Sequence, residues 1–180
     1  MKLKTPMAVF CRLLLALSIA VIPNSQAIAE LGAEAAVKTA FLFNFFKFIE
    51  WPNIINQDSY QLCTTLNDHL GDSLLVLENK AINNKRLVIH REIGGAELKN
   101  CNIVFIGNSE QTLAVINELK GLPIVTVSDQ LGFTGQGGII GLVQEGNRLT
   151  FEINLELANA EGIHISAKLL KLAKTVNAAK

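Results

Sequence analysis

Two of the three cysteines, three histidines, a Ser-Asp step, a glycine run and one carboxylate–amide pair are the residues that carry chemical potential in this chain. Cys63 and Cys101 lie at the edges of two short apolar runs, Gln61-Leu62-Cys63 and Cys101 to Phe105. Neither has a His or Cys at metal-ligand spacing, so a disulfide suits them better than a metal site. Such a bridge closes a loop of about 38 residues and adds roughly 3–4 kcal/mol on a chain-entropy model. Ser128-Asp129 follows a strongly apolar run, and the carboxyl end of a strand in an open α/β sheet is where ligands sit. The bland alternative is that both side chains satisfy loop amides. Gly135-Gln136-Gly137-Gly138 resembles a phosphate cradle, but it lacks a Gly-Lys-Ser/Thr ending and leads into a strand, which favours a plain loop. Glu152 and Asn154 flank Ile153 and so point to one face of a strand, a candidate contact pair unless Asn154 serves only as a helix cap.

His69, His90 and His164 are scattered singly, the usual pattern of surface histidines. No nucleophile elbow and no paired acids appear. The expectation is therefore a binder with no catalytic residues, no metal and no cofactor.

The elements that must hold these residues begin after a leader. Lys2, Lys4 and Arg12 precede the apolar Leu13–Ile22, Pro23 breaks that run, and Ala27-Ile28-Ala29 is an A-x-A site. Residues 1–29 are expected to be a cleaved signal peptide, and 30–180 one exported α/β domain. Cys11 would leave with the leader. Cleavage removes three basic residues, so thirteen Lys and Arg face sixteen Asp and Glu, a net charge of −3. Such a surface is a poor match for nucleic acid. Export to an oxidising compartment is consistent with the disulfide.

Gly32 to Glu50 reads as one helix, with Val37, Phe41, Phe45 and Phe48 on a common face and Leu42, Phe46 and Ile49 widening it. Asn44, Lys47 and Glu50 leave a narrow polar stripe. Trp51-Pro52 stops the helix. The run from Phe41 to Pro52 holds the single Trp and is too short to span a membrane, so something must cover it. Beyond a connector, strands are expected at Tyr60–Thr64, Arg86–His90, Asn102–Gly107 and Pro123–Val127. Helices are expected at Asp68–Leu77, at Ala96–Lys99 as a single turn, and from Ser109 or Glu110 to Lys120. That alternation argues for a mostly parallel sheet. Gly137–Val143 and Arg148–Ile153 then form an antiparallel hairpin around Gly146-Asn147. Asn154 caps a helix Leu155–Glu161, and Ser166 caps a last helix from Ala167 to about Val176. That last helix turns Leu169, Leu172, Ala173 and Val176 inward and sets Lys168, Lys171 and Lys174 outside. The fold class is α/β: a single domain with a central mixed, mostly parallel sheet flanked by helices, a C-terminal hairpin and two short terminal helices.

Four ordered motifs carry a family resemblance. Val37-Lys38-Thr39-Ala40-Phe41-Leu42-Phe43-Asn44-Phe45-Phe46-Lys47-Phe48-Ile49-Glu50-Trp51-Pro52 resembles the opening signature of the YfiR-like periplasmic proteins. Cys101–Ile106, Ile124–Asp129, and Arg148–Asn154 with Ile165–Ala173 follow in order. The signature positions Phe41, Asn44, Phe45, Phe48, Trp51 and Pro52, together with Phe151, Leu169 and Leu172, are core or interface candidates. Ser128, Asp129, Glu152 and Asn154 are possible ligand or partner contacts. The resemblance implies a periplasmic repressor that binds the periplasmic sensory domain of an inner-membrane diguanylate cyclase and lowers cyclic-di-GMP and biofilm formation. It further implies sequestration by an outer-membrane, peptidoglycan-associated lipoprotein, homodimerisation and dependence on disulfides. Cys63 and Cys101 match the family's more N-terminal pair. Gly137 to Asn154 contains no Cys, so control through the second bridge of some members cannot operate. Related domains also occur fused to histidine kinases; this chain, ending at Lys180, is expected to act on other chains. The alternative reading is a periplasmic small-ligand-binding sensor module.

Overall fold

The computed structural model describes residues 25–52, 57–107 and 111–177. Residues 1–24 of the expected leader, part of the connector at 53–56, and the expected helix start at 109–110 lie outside the described residues.

Helix α1 (Ser25–Phe48) leads into β1 (Ile49–Glu50), which pairs antiparallel with β9 (His164–Ile165). The expected helix ran to Glu50. It stops two residues sooner because Ile49 and Glu50 are drawn into extended pairing, and the Phe48 carbonyl accepts from the Ser166 N–H at 2.9 Å. The residue before Pro52 must itself be extended, so the helix was already bound to end nearby.

The central sheet has eight strands: β2 (Ser59–Thr64), β3 (Ala81–Ile82), β4 (Lys85–His90), β5 (Ile103–Phe105), β6 (Val125–Ser128), β7 (Ile140–Glu145), β8 (Arg148–Asn154) and β10 (Thr175–Asn177). Their order is β10-β8-β7-β6-β5-β2-β4-β3. Only the β7–β8 and β3–β4 pairs are antiparallel, so the sheet is mixed and mostly parallel, as the alternation predicts. The β3–β4 turn is carried by Asn83 and Asn84, both at positive φ. In the β7–β8 turn only Gly146 takes a positive φ, whereas the sequence suggested both Gly146 and Asn147. A two-residue loop with Gly first matches the type II′ geometry of twisted hairpins.

The period of two sorts the strands into two cores. Leu62, Ile103, Phe105, Val125 and Val127 face one side with Leu42, Phe45, Phe46, Leu87, Ile140 and Phe151. Cys63, Val104, Ile106 and Ile124 face the other, under α2 (Thr112–Leu119), Leu98 and Phe133. Residues 32–180 make one compact unit.

Two helical expectations need correction. The segment after β2 is a 3₁₀ helix, Gly71–Leu77, in place of an α-helix from Asp68. Asp68 spends its Oδ1 on the Leu70 N–H at 2.8 Å, a local turn that delays the helix. The single turn expected at Ala96–Lys99 is present, as the 3₁₀ helix Gly95–Asn100. The last helix is far shorter than expected. Helices α3 (Leu155–Ala160) and α4 (Ala167–Leu170) are capped by Asn154 and Ser166 as the sequence indicates. Past Leu170, however, the chain turns and adds β10 parallel to β8. The unpaired edge of β8 competes for that backbone and wins: the Lys174 N–H reaches the Phe151 carbonyl at 2.8 Å. Leu169 is buried, but Leu172 is exposed, so Leu172 is not a core residue. The outer lysine stripe is dissolved, and Lys174 pairs with Glu145 at 3.4 Å.

On α1 the deepest face is also one step from the expected one. Leu42, Phe45, Phe46 and Ile49 are buried, whereas Val37 is 45% exposed and Phe41 and Phe48 only half-buried. Replacing Phe45 by Ala is expected to cost about 3–5 kcal/mol in urea unfolding, and Phe41 by Ala less than half of that. Equal losses would contradict this assignment of the helix face.

Candidate functional site

The signature helix reaches the sheet through aromatic contacts and one buried cation. Phe45 meets Phe151 edge-on at 5.4 Å between centroids, and Phe41 meets the same ring at 5.5 Å. Phe46, Trp51 and Tyr60 form a second cluster at 5.1–5.8 Å. The Trp51 indole N–H donates to the Asn102 carbonyl at 3.2 Å. Pro52 lies beside Gly162, where an added methyl would meet the proline ring at 3.9 Å. Most of the aromatic run is therefore covered by its own chain. Its excess over what one small domain can cover, expected from sequence, shrinks to the half-buried Phe41, Phe43 and Phe48.

Lys38 occupies the position one turn before Leu42 on the buried face and is itself buried. Its Nζ donates to Asp129 Oδ2 at 2.5 Å and sits 2.6 Å from Glu34 Oε1. Burial alone lowers the Lys38 pKa, but the hydrogen bonds to Asp129 and Glu34 outweigh it and hold the ammonium above its ordinary range. Asp129 directly follows β6, so this pair pins the signature helix to the carboxyl end of a central strand. Ser128 is fully buried; its hydroxyl donates to the Ile106 carbonyl at 2.7 Å and accepts from the Gln130 N–H. The Ser128-Asp129 step thus finds its partners inside the chain. Sequence reasoning missed Lys38. The signal was legible: a lysine in register with Leu42, Phe45/Phe46 and Ile49 needs a buried anion.

Glu152, Asn154 and the glycine loop do come together. Thr134 donates its hydroxyl to Glu152 Oε2 at 3.4 Å, and Asn154 Nδ2 donates to the Thr134 carbonyl at 3.3 Å. Asn154 Oδ1 accepts from the Leu157 N–H, so the cap and the contact are the same side chain. The glycines are there for shape: a methyl on Gly138 would lie 2.1 Å from the Phe133 ring, and Gly137 sits at φ +97°. A small cleft opens beside them, lined by Asn117, Lys120, Gln136, Asn154 and Glu161. Burial raises the Glu161 pKa, opposed by the Gly121 N–H and by Lys120.

Cys63 and Cys101 are bridged, with Cα atoms 6.0 Å apart. The bond ties β2 to the start of β5 on the face away from α1. His69, His90 and His164 are exposed, and His90 Nε2 pairs with Gln61 Oε1 at 2.7 Å. Among the described residues no group of three His, Cys, Asp or Glu is placed to hold a metal ion. No helix among them is long and apolar enough to cross a membrane. Asn44 is exposed and accepts from Lys47 at 3.1 Å. Phe151 and Leu169 are buried.

A family profile described as YfiR/HmsC-like matches residues 35–174, most of the chain. Among solved structures, one similar to this chain is the crystal structure of a conserved domain protein from Vibrio cholerae O1 biovar El Tor strain N16961. The two are 12% identical with a TM-score of 0.46, over 78% of this chain and 60% of that one. This chain thus matches less than two thirds of that protein's length.

The Lys38–Asp129 pair gives a signed pH expectation. A raised lysine pKa contributes stability that is fully present below the ordinary value of 10.5 and is lost as pH rises through the folded-state value. Asp129→Asn should lower unfolding stability near neutral pH by about 1–3 kcal/mol. The gap from wild type should narrow in alkaline solution, and a gap independent of pH would contradict the assignment.

Proposed function

The chain belongs to the YfiR/HmsC-like family, and on that footing we propose that it is a periplasmic repressor acting by protein contact. Its target is the periplasmic sensory domain of an inner-membrane diguanylate cyclase, which it holds inactive, lowering cyclic-di-GMP and biofilm formation. The single observation that carries the reading is the family match across residues 35–174, which takes in the signature helix, the Ser128-Asp129 strand end and the hairpin.

Supporting features come from the leader-like first residues and from where the side chains go. Lys2, Lys4 and Arg12, the apolar Leu13–Ile22 and Ala27-Ile28-Ala29 support export and cleavage. The most reactive-looking pair, Ser128 and Asp129, is spent on internal hydrogen bonds, which favours a non-enzymatic role. A Cys63–Cys101 bridge suits an oxidising compartment. Homodimerisation and release by an outer-membrane, peptidoglycan-associated lipoprotein complete the proposal by family analogy. The sensor-module alternative draws its support from the polar cleft at Asn154 and Glu161.

Deleting the gene in its own host is expected to raise cyclic-di-GMP, measured by mass spectrometry, and to increase surface attachment, with complementation restoring both. Unchanged levels in a strain that carries the partner cyclase would contradict the repressor reading.

A further inference from the structure

The side of α1 that turns away from the sheet forms one wall of an apolar groove. The 3₁₀ helix Gly71–Leu77 forms the other wall. Ala36, Ala40, Phe43, Val76, Leu77 and Lys80 line it. Its floor is already satisfied: Thr39 Oγ1 and Ser73 Oγ lie 2.7 Å apart, and Ser73 also reaches the Leu70 carbonyl at 2.5 Å. The Thr39 and Ser73 hydroxyls therefore keep their partners when an apolar group enters the groove. Val76 is 63% exposed on the rim, and its neighbour Leu75 is 60% exposed. Apolar side chains exposed together in this way mark interaction surfaces more than chance placement does.

One end of the groove is charged. Lys47 Nζ lies 4.3 Å and Lys80 Nζ 5.4 Å from the centroid of the Phe43 ring. Among the described residues neither ammonium is in ion-pair contact with a carboxylate. Two cations on one half-buried aromatic ring make that end of the groove positive, and an anion that reaches it is attracted by both.

We propose that this groove docks an apolar turn of a partner polypeptide whose carboxylate, about one helical turn further along, meets the positive end formed by Lys47 and Lys80 at Phe43. The naming of that partner as the cyclase's periplasmic domain rests on the repressor reading; the preference for an apolar, acidic segment does not. The chemistry also selects against other occupants. This chain's own apolar Leu13–Ile22 is flanked by Lys2, Lys4 and Arg12, the wrong sign for that end of the groove. The cavity holds about 250 Å³ and lies open along one side, small for the roughly 300–1,000 Å³ sites that enclose free small molecules.

The test titrates the isotope-labelled mature chain with two synthetic helical peptides of about 15 residues. Both carry Leu at i and i+4; one has a Glu pair a turn further on, and its twin has a Lys pair there. The acidic peptide should shift the Ala40, Phe43, Val76 and Lys80 amides and bind at least about ten-fold more tightly than its twin, a difference of charge pairing. The double variant Lys47→Glu with Lys80→Glu should reverse the preference. Equal affinities, no shifts with either peptide, or shifts elsewhere would overturn the proposal. So would sodium laurate producing the same shifts without discrimination between the peptides, which assigns the groove to a lipid carboxylate. A concentration-dependent dimer that protects these amides would assign it to a second copy and overturn it as well. A second arm separates the two readings. Ala40→Arg fills an exposed position, so its fold, checked by near-ultraviolet circular dichroism, should persist while repression of the cyclase is lost. A folded Ala40→Arg that still represses removes the groove and leaves the repressor reading intact. A wild-type chain that does not repress removes that reading, and the peptide titration still decides the groove.

Discussion

The packing of one helical face against the sheet is the constraint on which the rest of this molecule depends. Leu42, Phe45, Phe46 and Ile49 are almost without solvent contact, and the rings of Phe45 and Phe151 lock the helix to β8. A helix this apolar cannot stand in water, and burying a large aromatic side chain contributes roughly 1.5–3 kcal/mol. The sheet must therefore present a matching apolar face. It does so through the odd positions of β5 and β6, Ile103, Phe105, Val125 and Val127. The alternate positions, Val104, Ile106 and Ile124, are then available for a second core, which α2 and the disulfide close. Lys38 and Asp129 fix the helix along its axis by joining a buried position in its middle to the end of β6.

This arrangement explains why two motifs far apart in sequence matter together. The lysine of the opening signature and the aspartate of the Ser128-Asp129 step are 91 residues apart and share one hydrogen bond. Read separately, the lysine looks like a solvated charge and the aspartate like a ligand contact. Placed together they are one positioning device, and neither side chain is left as an open ligand contact.

The repeating strand–helix alternation made the parallel sheet legible, because buried apolar runs such as Cys101–Ile106 fit parallel strands. The hairpin and the caps at Asn154 and Ser166 were equally legible, since each rests on local turn chemistry. The end of the chain was not. Leu169, Leu172, Ala173 and Val176 have helical spacing, yet the open edge of β8 captures Thr175–Asn177 as a strand, a tertiary gain that no local pattern encodes. The helix face was misplaced for a related reason. Nearly every position from Phe41 to Ile49 is apolar, so spacing alone selects no face, and the buried Lys38 is the residue that settles it. At the candidate site, same-face logic placed Glu152 beside Asn154 correctly. What stayed hidden was their common partner Thr134, supplied by the 3₁₀ turn Phe133–Gln136 that carries the start of the glycine run.

The central claim, that α1 from Leu42 onward belongs to the cooperative core while its outer face stays free, has a direct measurement in native-state hydrogen exchange. The amides of Leu42, Phe45 and Phe46 should exchange only through global unfolding, with the same free energy as Val104 in β5 and Val127 in β6. Exchange of the helix amides through a local opening markedly cheaper than that of the two strands would contradict the account.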